Sequence, residues 1–360
     1  MKTLKLRIKD KHSKVLNQLA SAVNFVWNYV NDLCFKHLQR TGKFFSAFDI
    51  AKYTAGASKE LNLHSQTIQA ITEELVLRRK QFKKAKLKWR VSNPHSAKKS
   101  LGWIPFKKTA IKYQHGQIKY GNHHWFSLWD SYGLNKYTVK TGAFVQDSRG
   151  RWYVCLVVDS STTLTKPAPS AVTEQRRSVG IDLGLKDLAT LSNGQKIQAQ
   201  RTYRKYEKKL GIAQRARNKK RVKAIHAKIK QIRHNHLHQE STKLVKHYAA
   251  IFVGNINAKS LAKTKLAKSV LDAGWTMFRT LLKYKCENAG VWFEEVNESY
   301  TTQTCSCCGS RQNSPKGRAG LGIREWTCVQ CGTLHDRDIN AAKNILALGH
   351  ERLGGGIPLL

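Results

Sequence analysis

Acidic residues are scarce in this sequence. Its 360 residues include 23 Asp or Glu against 64 Lys or Arg, which gives a formal net charge of +41 at pH 7. Solubility alone does not require a positive excess of this size. A partner that carries many negative charges does require it, so the composition predicts a protein that binds nucleic acid.

Long apolar runs are missing as well. No segment approaches the roughly 20 uncharged apolar residues of a membrane-spanning helix, and the N-terminus lacks the apolar core of a signal peptide. We therefore expect a cytoplasmic protein with no membrane partner. This expectation argues against an anionic membrane surface, the other partner that a basic protein could bind.

The eight cysteines do not form the pattern of a disulfide scaffold, and they suit a reducing compartment. Four of them stand in two Cys-x-x-Cys-Gly pairs near the C-terminus, Cys305 with Cys308 and Cys328 with Cys331. Cys307 lies inside the first pair and is interpreted as a spare thiol. The other three lie in apolar surroundings and are predicted to be small core residues: Cys34, Cys155 and Cys286.

The two cysteine pairs predict a structural zinc site. Each Cys-x-x-Cys turn directs two thiolates at one point, and the glycine that follows permits the turn. A redox-active pair of the thioredoxin type would not need a second copy. We therefore predict one Zn²⁺ held by four thiolates, with no catalytic role.

A change of pattern divides the chain at residues 159–177, a stretch rich in Ser, Thr, Pro and Ala that predicts a linker. Before it, the sequence predicts a strand over 3–9, helices over 12–38 and 62–82, and a β-rich segment over 110–160. The N-terminal half is thus predicted to combine a β domain with a helical insertion.

After the linker, strands and helices alternate. The predicted order is three strands, a helical hairpin, a strand, a helix, a strand and a final helix, which is the order of an RNase H-like α/β sheet. The predicted elements are strands over 179–184 and 188–191, a basic hairpin over 203–247, a buried strand over 248–253, a helix over 267–289, a strand over 291–296 and a helix over 335–346.

Basic and aromatic residues are mixed in the N-terminal half. The basic run 78–90 contains Phe82 and Trp89 and leads to the aromatic segment 103–107. This mixture suits phosphate contacts combined with base stacking. For any single residue the alternative is a solvated helix face with its aromatic side chain in the core. The run and the basic helix over 203–233 are candidate contacts to a nucleic-acid backbone.

Two aspartates are predicted to lie at a catalytic centre. An RNase H-like nuclease holds two Mg²⁺ ions with clustered carboxylates, because Mg²⁺ prefers hard oxygen ligands. Asp182 stands between apolar residues in a strand that should be central, where an unpaired carboxylate is costly. The alternative for Asp182 is a strand-end aspartate that makes a turn. Asp338 shares one helical face with the apolar residues that follow it, so it points towards the sheet, whereas Asp336 is predicted to cap that helix.

These motifs resemble the TnpB family, the RuvC-type nucleases of insertion sequences, to which the CRISPR type V effectors are related. The resemblance rests on Val-Gly-Ile-Asp-Leu-Gly at 179–184, Tyr-Thr-Thr-Gln-Thr-Cys at 300–305, the cysteine pairs, and HDRDINAAKNIL at 335–346. It covers the chain well from residue 179 and more loosely before it. It implies a Mg²⁺-dependent, RNA-guided DNA endonuclease of a prokaryotic transposable element, associated with the nucleoid. A guide RNA from the end of the element would pair with double-stranded target DNA beside a short motif, and both strands would be cut.

The resemblance also implies a domain plan and a monomer in complex with its guide RNA. The implied domains are a β-barrel-like wedge domain (1–10 and 96–170), a helical recognition domain inserted in it (11–95), a RuvC nuclease domain (178–303 and 333–350) and a zinc ribbon inserted in that domain to bind the target nucleic acid (304–332).

One position departs from the family's pattern. In most members the strand that ends near residue 253 is followed by a catalytic glutamate, whereas this sequence has Gly254, which cannot bind a metal. Two interpretations follow. Either the nuclease is dead and the protein binds DNA under RNA guidance, as a repressor would, or another carboxylate replaces the missing one.

Glu298 is the predicted replacement. The strand over 291–296 is expected to lie parallel beside the strand over 248–253, so Glu298, just past its end, could reach the gap at Gly254. Its alternative is a solvated strand end, and Glu295 is the second choice because it is expected to face the other side of the sheet.

The predicted Mg²⁺ ligands and catalytic residues are therefore Asp182, Glu298 and Asp338. A decayed nuclease would not be expected to keep the two aspartates and the zinc module, so we favour an active enzyme. A third possibility is a transposase or transposition accessory protein, because RNase H-like folds also host strand transfer. Such a protein would normally carry an end-recognition module such as a helix-turn-helix, and the sequence gives no clear indication of one.

Overall fold

The computed structural model describes residues 2–159, 178–312, 314–316 and 319–354. Apart from residue 159, the predicted linker therefore lies outside the described residues. The chain divides into two compact units, Met1–Ser161 and Thr162–Leu360. Within the described residues, no helix combines the length and the apolarity that are needed to cross a membrane.

The first unit contains an antiparallel sheet. Its strands are β1 (Lys2–Ile8), β2 (Trp103–Lys107), β3 (Ile111–Gln114), β4 (Gln117–Tyr120), β5 (His124–Trp129), β6 (Val139–Gln146) and β7 (Trp152–Val158). They are arranged in the order β2-β6-β7-β1-β5-β4-β3. The predicted strand over 3–9 and the β-rich segment over 110–160 are confirmed.

This sheet curls on itself. Phe144 of β6 is separated from β5 and β4 by at least two strands in the sheet order. Its ring nevertheless contacts Phe126 of β5 and Tyr120 of β4, with centroids 5.2 and 5.7 Å apart. Phe106 of β2 packs on the same ring at 4.9 Å. Aromatic side chains from both ends of the sheet therefore fill one interior, and the sheet is nearly closed, like a barrel.

Helices of the first unit share this core. They are α1 (Ser13–Thr41), α2 (Ala47–Ala51), α3 (Ala57–Glu60) and α4 (Ser65–Phe82). In α1 the buried residues recur at helical spacing and form one apolar stripe. The helix ends at Gly42, whose φ of 67° is a left-handed conformation that glycine adopts without strain. The helices predicted over 12–38 and 62–82 are confirmed as α1 and α4.

The second unit is mixed α/β. Its strands are β8 (Ser178–Leu183), β9 (Asp187–Leu191), β10 (Lys196–Gln198), β11 (Ala250–Gly254) and β12 (Trp292–Val296), with a separate hairpin of β13 (Glu325–Thr327) and β14 (Leu334–Asp336). The main sheet has the order β10-β9-β8-β11-β12. Strands β8, β9 and β10 pair antiparallel, whereas β11 is parallel to both β8 and β12. The predicted parallel pairing of the last two strands is confirmed.

The helices of this unit are α5 (Thr202–Arg215), α6 (Lys219–His247), α7 (Ala258–Leu261), α8 (Ala267–Ala273), α9 (Trp275–Ala289) and α10 (Arg337–Gly354). Helices α5 and α6 contact each other and form the predicted hairpin. The single helix predicted over 267–289 is wrong. Gly274, with a φ of 72°, ends α8 and begins α9.

The predicted start of the last helix at His335 is also wrong, because α10 begins at Arg337. His335 and Asp336 belong to β14, where they pair with Trp326 and Glu325 of β13. The backbone hydrogen bonds of this hairpin hold the two residues in an extended conformation.

Helix α10 packs directly on the middle strand of the main sheet. A Cβ atom on Gly180 of β8 would overlap the backbone oxygen of Ala342 and lie 2.6 Å from the backbone nitrogen of Leu346. The glycine therefore permits a close approach of strand and helix that no other residue allows. This approach fixes the first turn of α10 beside the C-terminal end of β8.

Candidate functional site

Asp182 lies near the C-terminal end of β8, the middle strand of the main sheet. Its neighbours Ile181 and Leu183 are buried, whereas Asp182 is partly exposed. Side chains alternate along a strand, so Asp182 faces the same side as Gly180, towards α10. The predicted central position of this aspartate is therefore observed.

The three predicted acidic residues lie close enough for the charges of Asp338 and Glu298 to act on Asp182. Burial raises the pKa of Asp182 well above its usual value, and the carboxylates of Asp338 and Glu298 raise it further. The Arg337 guanidinium opposes this shift. The three carboxylates therefore influence one another's ionisation, but their oxygens are not gathered as closely as the four cysteine thiols, the group that meets that condition among the described residues.

Glu298 covers Gly254. A Cβ atom on Gly254 would overlap the Oε2 atom of Glu298 and lie 3.3 Å from its Cβ atom, so Glu298 occupies the space that a side chain at 254 would need. Asn255 fixes the backbone here: its amide donates to the carbonyl of Val296 at 2.9 Å, and its side-chain oxygen accepts the Glu298 amide at 3.3 Å. Glu298 is thus held next to the end of β11.

Among the described residues, one oxygen of the Glu298 carboxylate lacks a hydrogen-bond donor. Burial raises its pKa, while Arg279 and the backbone amide of Ile256 oppose the shift. The Oε2 atom is buried and has no hydrogen-bond partner in the described part of the chain. A buried acceptor without a donor is costly, so this oxygen is available to a ligand.

Asp338 stands in the first turn of α10 and is paired with arginines. Arg324 lies 3.1 Å and Arg337 3.5 Å from its carboxylate oxygens. These two arginines were not predicted as site residues. Arg337 lies inside the acidic motif, but nothing in the sequence around Arg324, between the two cysteine pairs, indicates that it reaches Asp338.

Asp336 caps α10, as predicted. Its Oδ1 atom accepts the backbone amides of Asp338 and Ile339, both at 3.0 Å. Its Oδ2 atom accepts a charged hydrogen bond from Lys196 at 2.7 Å. The carboxylate is therefore used in fixing the helix start, which leaves Asp338 as the aspartate of this helix that faces Asp182.

Glu295, the second choice for the missing ligand, faces away from α10. It pairs with Arg279 of α9 at 2.9 Å. Its neighbour Val296 instead packs with Phe252 and Ile345 on the α10 side of the sheet. Alternation along β12 therefore separates Glu295 from the side on which Asp182 lies.

The four paired cysteines form one cluster. The Sγ atoms of Cys305, Cys308, Cys328 and Cys331 all lie within 4.8 Å of one another, as the ligands of one metal ion do. Gly309 and Gly332, which follow the two pairs, have φ values of 74° and 70°. The glycines thus adopt the left-handed turns that were predicted for them.

The other cysteines lie outside this cluster. Cys307 is exposed, in agreement with its interpretation as a spare thiol. Cys34 and Cys286 are buried as predicted, whereas Cys155 is only partly buried and is not a fully enclosed core residue.

Neighbouring residues support the cysteine cluster. The Thr333 side chain and backbone lower the pKa of the Cys331 thiol to about 6 through hydrogen bonds, which favours the thiolate form that binds metal. The His335 Nε2 atom lies 3.0 Å from the Sγ atom of Cys305, and its ring packs on Trp326 with centroids 4.8 Å apart. His335 is buried and was not predicted as part of this site.

Two asparagines join the cysteine segment to α10. The side-chain amides of Asn340 and Asn344 both donate to the backbone oxygens of Thr301 and Thr304, at 2.6 to 3.2 Å. The Oδ1 atom of Asn340 also accepts the backbone amide of Ser306 at 2.8 Å. These bonds connect the entry of the cysteine cluster to the helix that carries Asp338.

Comparison with known proteins identifies relatives of both halves of this unit. A family model described as "Cas12f1-like, TNB domain" matches residues 275–345, and one described as "Probable transposase" (OrfB_IS605) matches residues 156–265.

Similar proteins come from bacteria and viruses. The chain is 35% identical over 218 residues to a provisionally named RNA-guided DNA endonuclease of Streptomyces pristinaespiralis, covering 57% of this chain and 51% of that protein. It is 30% identical over 240 residues to a provisionally named RNA-guided DNA endonuclease, InsQ, of Escherichia coli K12, covering 59% and 57%. It is 26% identical over 239 residues to the TnpB-like protein L79 of Acanthamoeba polyphaga mimivirus, covering 58% and 43%. The chain thus spans about half the length of the curated relatives it matches.

Proposed function

We propose that this chain is a TnpB-family protein, an RNA-guided DNA endonuclease with an RNase H-like catalytic domain of the RuvC type. It would act as a monomer with a guide RNA from the end of its transposable element. Its target would be double-stranded DNA beside a short motif, and both strands would be cut. The first unit would comprise the wedge and helical recognition domains, and the second unit the nuclease domain with its zinc ribbon.

One observation carries the proposal that the enzyme is active. The Oε2 atom of Glu298 is buried without a donor above Gly254, at the place where the family's missing glutamate would be. Asp182 and Asp338 contribute to the same electrostatic cluster. Without a ligand, this arrangement would bury mutually repelling carboxylates for no gain, which favours a cation-binding role.

The acidic residues fit the metal that the family implies. All three offer hard carboxylate oxygens, which suit Mg²⁺. Asp182, Glu298 and Asp338 would hold two Mg²⁺ ions, which when bound activate a water molecule and stabilise the leaving 3′ oxygen. Arg324 and Arg337 offset the repulsion among the carboxylates. Asp336 orients Asp338 by fixing the start of α10.

The four clustered thiolates would hold one Zn²⁺ in a closed, structural site. The asparagine bonds between this segment and α10 indicate its purpose. The residues that follow Glu298 in the chain are hydrogen-bonded to α10, the helix that carries Asp338. A folded cysteine segment would preserve these bonds. The zinc would thus support the acidic site without touching the substrate, and the segment would also control the entry of nucleic acid.

The test is guided cleavage of a DNA target with Mg²⁺, using the RNA that copurifies with the protein. Asp182→Ala, Glu298→Ala and Asp338→Ala should each lose about 10³-fold or more in cleavage rate while still binding target DNA, because metal ligands act as a unit. Glu295→Ala is the matched control and should cut normally, because Glu295 faces α9.

Three outcomes would contradict the proposal. Normal cutting by Glu298→Ala, with both aspartate variants dead, would exclude Glu298 as a ligand. A parent protein that binds the guided target and never nicks it would be an RNA-guided repressor. Joining of the DNA ends rather than cleavage would instead indicate a transposase.

A further inference from the structure

The loop between α1 and α2 exposes an aromatic ring with one face occupied. Phe44 is 60% exposed, and the Arg79 guanidinium of α4 lies 4.5 Å from the centre of its ring. The neighbouring Phe45 instead stacks on His37 at 3.6 Å and packs against the core. Phe44 is therefore held in place by the cation on one face, and its exposure is not a consequence of a poorly packed loop.

Arg79 lacks a negatively charged partner. It is only 5% exposed, none of its three guanidinium nitrogens makes a well-formed hydrogen bond among the described residues, and the polar group close enough to interact with it is the uncharged thiol of Cys34. A buried cation without an anion is costly, and a single aromatic ring compensates it only in part. The surface around Phe44 is therefore short of negative charge.

A cavity of about 310 Å³ lies beside these two residues. Besides Phe44, Phe45 and Arg79, its walls include Lys80, Lys83 and Lys84 at the end of α4, and no acidic residue lines it. The remaining walls are apolar, so the cavity offers an aromatic floor with ammonium groups around it. A ligand that matches it has a flat π-system and carries negative charge.

We propose that this cavity binds one unpaired base of a nucleic-acid strand, stacked on Phe44, with the adjacent phosphates held by Lys80, Lys83 and Lys84. A base in a duplex has both faces covered, whereas an unpaired base can stack on an exposed ring. An acidic peptide without an aromatic side chain would satisfy the lysines but has no flat ring for Phe44. The inference rests on the proposed function only in taking nucleic acid as the ligand, and it does not depend on cleavage.

The test uses the full-length, RNA-free protein with a 12-nucleotide RNA or DNA strand that contains 5-iodouracil. Light links this base to an aromatic ring on which it stacks, and mass spectrometry of peptides locates the link. The expected link is at Phe44, with a yield at least about 10-fold above that at Phe48, which is 80% exposed on α2 and does not line the cavity. Separate RNA and DNA strands show which of the two the site prefers.

Lysine variants test the charged part of the site. Replacement of Lys80, Lys83 and Lys84 by Gln should lower the link at Phe44 by about 10-fold or more, because each lost phosphate contact weakens local binding. The control replaces Lys205, Lys208 and Lys209 of α5 by Gln and should leave the link at Phe44 unchanged.

Other outcomes would overturn the inference. If the strands bind, as measured by anisotropy, but link elsewhere, the cavity is not the stacking site and the proposed function is unaffected. Equal displacement by polyglutamate and by unlabelled RNA would show a site for acidic peptides. If neither strand binds at all, the inference fails, whereas the proposed function fails only if the copurifying RNA directs no cleavage.

Discussion

At the scale of single residues, Gly254 and Glu298 behave as one position. The glycine at the end of β11 leaves a space, and Glu298 enters it from the end of the neighbouring strand. Neither residue has an obvious purpose by itself: a glycine weakens a strand, and a glutamate with a buried oxygen lacking a donor is costly. Together they deliver one carboxylate to the cluster that contains Asp182.

A swap of the two positions should restore activity. Glu298→Ala should abolish guided cleavage, and the double variant Gly254→Glu with Glu298→Ala should regain at least about a tenth of the parent rate, because the space then admits a side chain from β11. Gly254→Glu alone should impair cleavage, since two glutamates would compete for one space.

The matched control for the swap is Gly254→Gln with Glu298→Ala, which adds the same volume without the charge. It should remain inactive. Cleavage by this control at the rate of the glutamate swap would mean that a carboxylate at this position is not required.

At the scale of elements, the cysteine cluster and α10 are joined by hydrogen bonds. Asn340 and Asn344 bind the backbone before Cys305, and His335 of β14 contacts that cysteine. The cluster is therefore tied by hydrogen bonds to the first half of α10.

Removal of zinc should first increase local unfolding of the cysteine segment and the start of α10. A chelator should speed amide hydrogen exchange over 300–346 while the buried strand β11 stays protected, because the proposed metal site supplies folding energy locally. Cys308→Ser should mimic the chelator and bind no zinc, whereas Cys307→Ser, which changes a thiol outside the cluster, should bind as the parent does. Unchanged exchange over 300–346 after complete zinc loss would refute the supporting role.

The contact between α6 and α9 should make stability depend on pH. Burial lowers the pKa of His238 to about 4, with help from His234 and Lys285. The unfolded chain takes up this proton near the ordinary value of 6.5, so below that pH the unfolded state binds more protons and folding weakens as pH falls towards 4.

His238→Gln should reduce this loss. The decrease in unfolding free energy from about pH 7 to pH 5, measured with urea, should be smaller than in the parent by at most about 1 kcal/mol, since the side chain is only partly buried and water screens its charge. The control His226→Gln changes an exposed histidine on the same helix. If both variants follow the parent's pH dependence, His238 does not contribute.

At the scale of the whole molecule, the charge of +41 is the dominant property. Basic residues occur in both units, in the lysines at the end of α4 and in the hairpin of α5 and α6. A protein of this kind should neutralise many phosphates at once.

Binding to RNA should therefore depend steeply on salt. The affinity should fall by about 10³-fold or more between 50 and 200 mM salt, as expected for six or more phosphate contacts. The slope of log affinity against log salt, measured by anisotropy, checks this number. A slope near zero would mean that the positive charge serves another purpose.

The sequence by itself determined the local chemistry. Charge, cysteine spacing and the apolar stripe of α1 are properties of nearby residues, so they predicted the partner class, the cysteine cluster and most elements. The order of strands also predicted that β12 lies parallel to β11, because short crossovers leave few alternatives. Only the tertiary structure decided how distant residues meet. Arg324 reaches Asp338, and His335 reaches Cys305, because the hairpin of β13 and β14 folds beside the start of α10. No local pattern encodes such contacts, since they depend on packing of residues far apart in the chain.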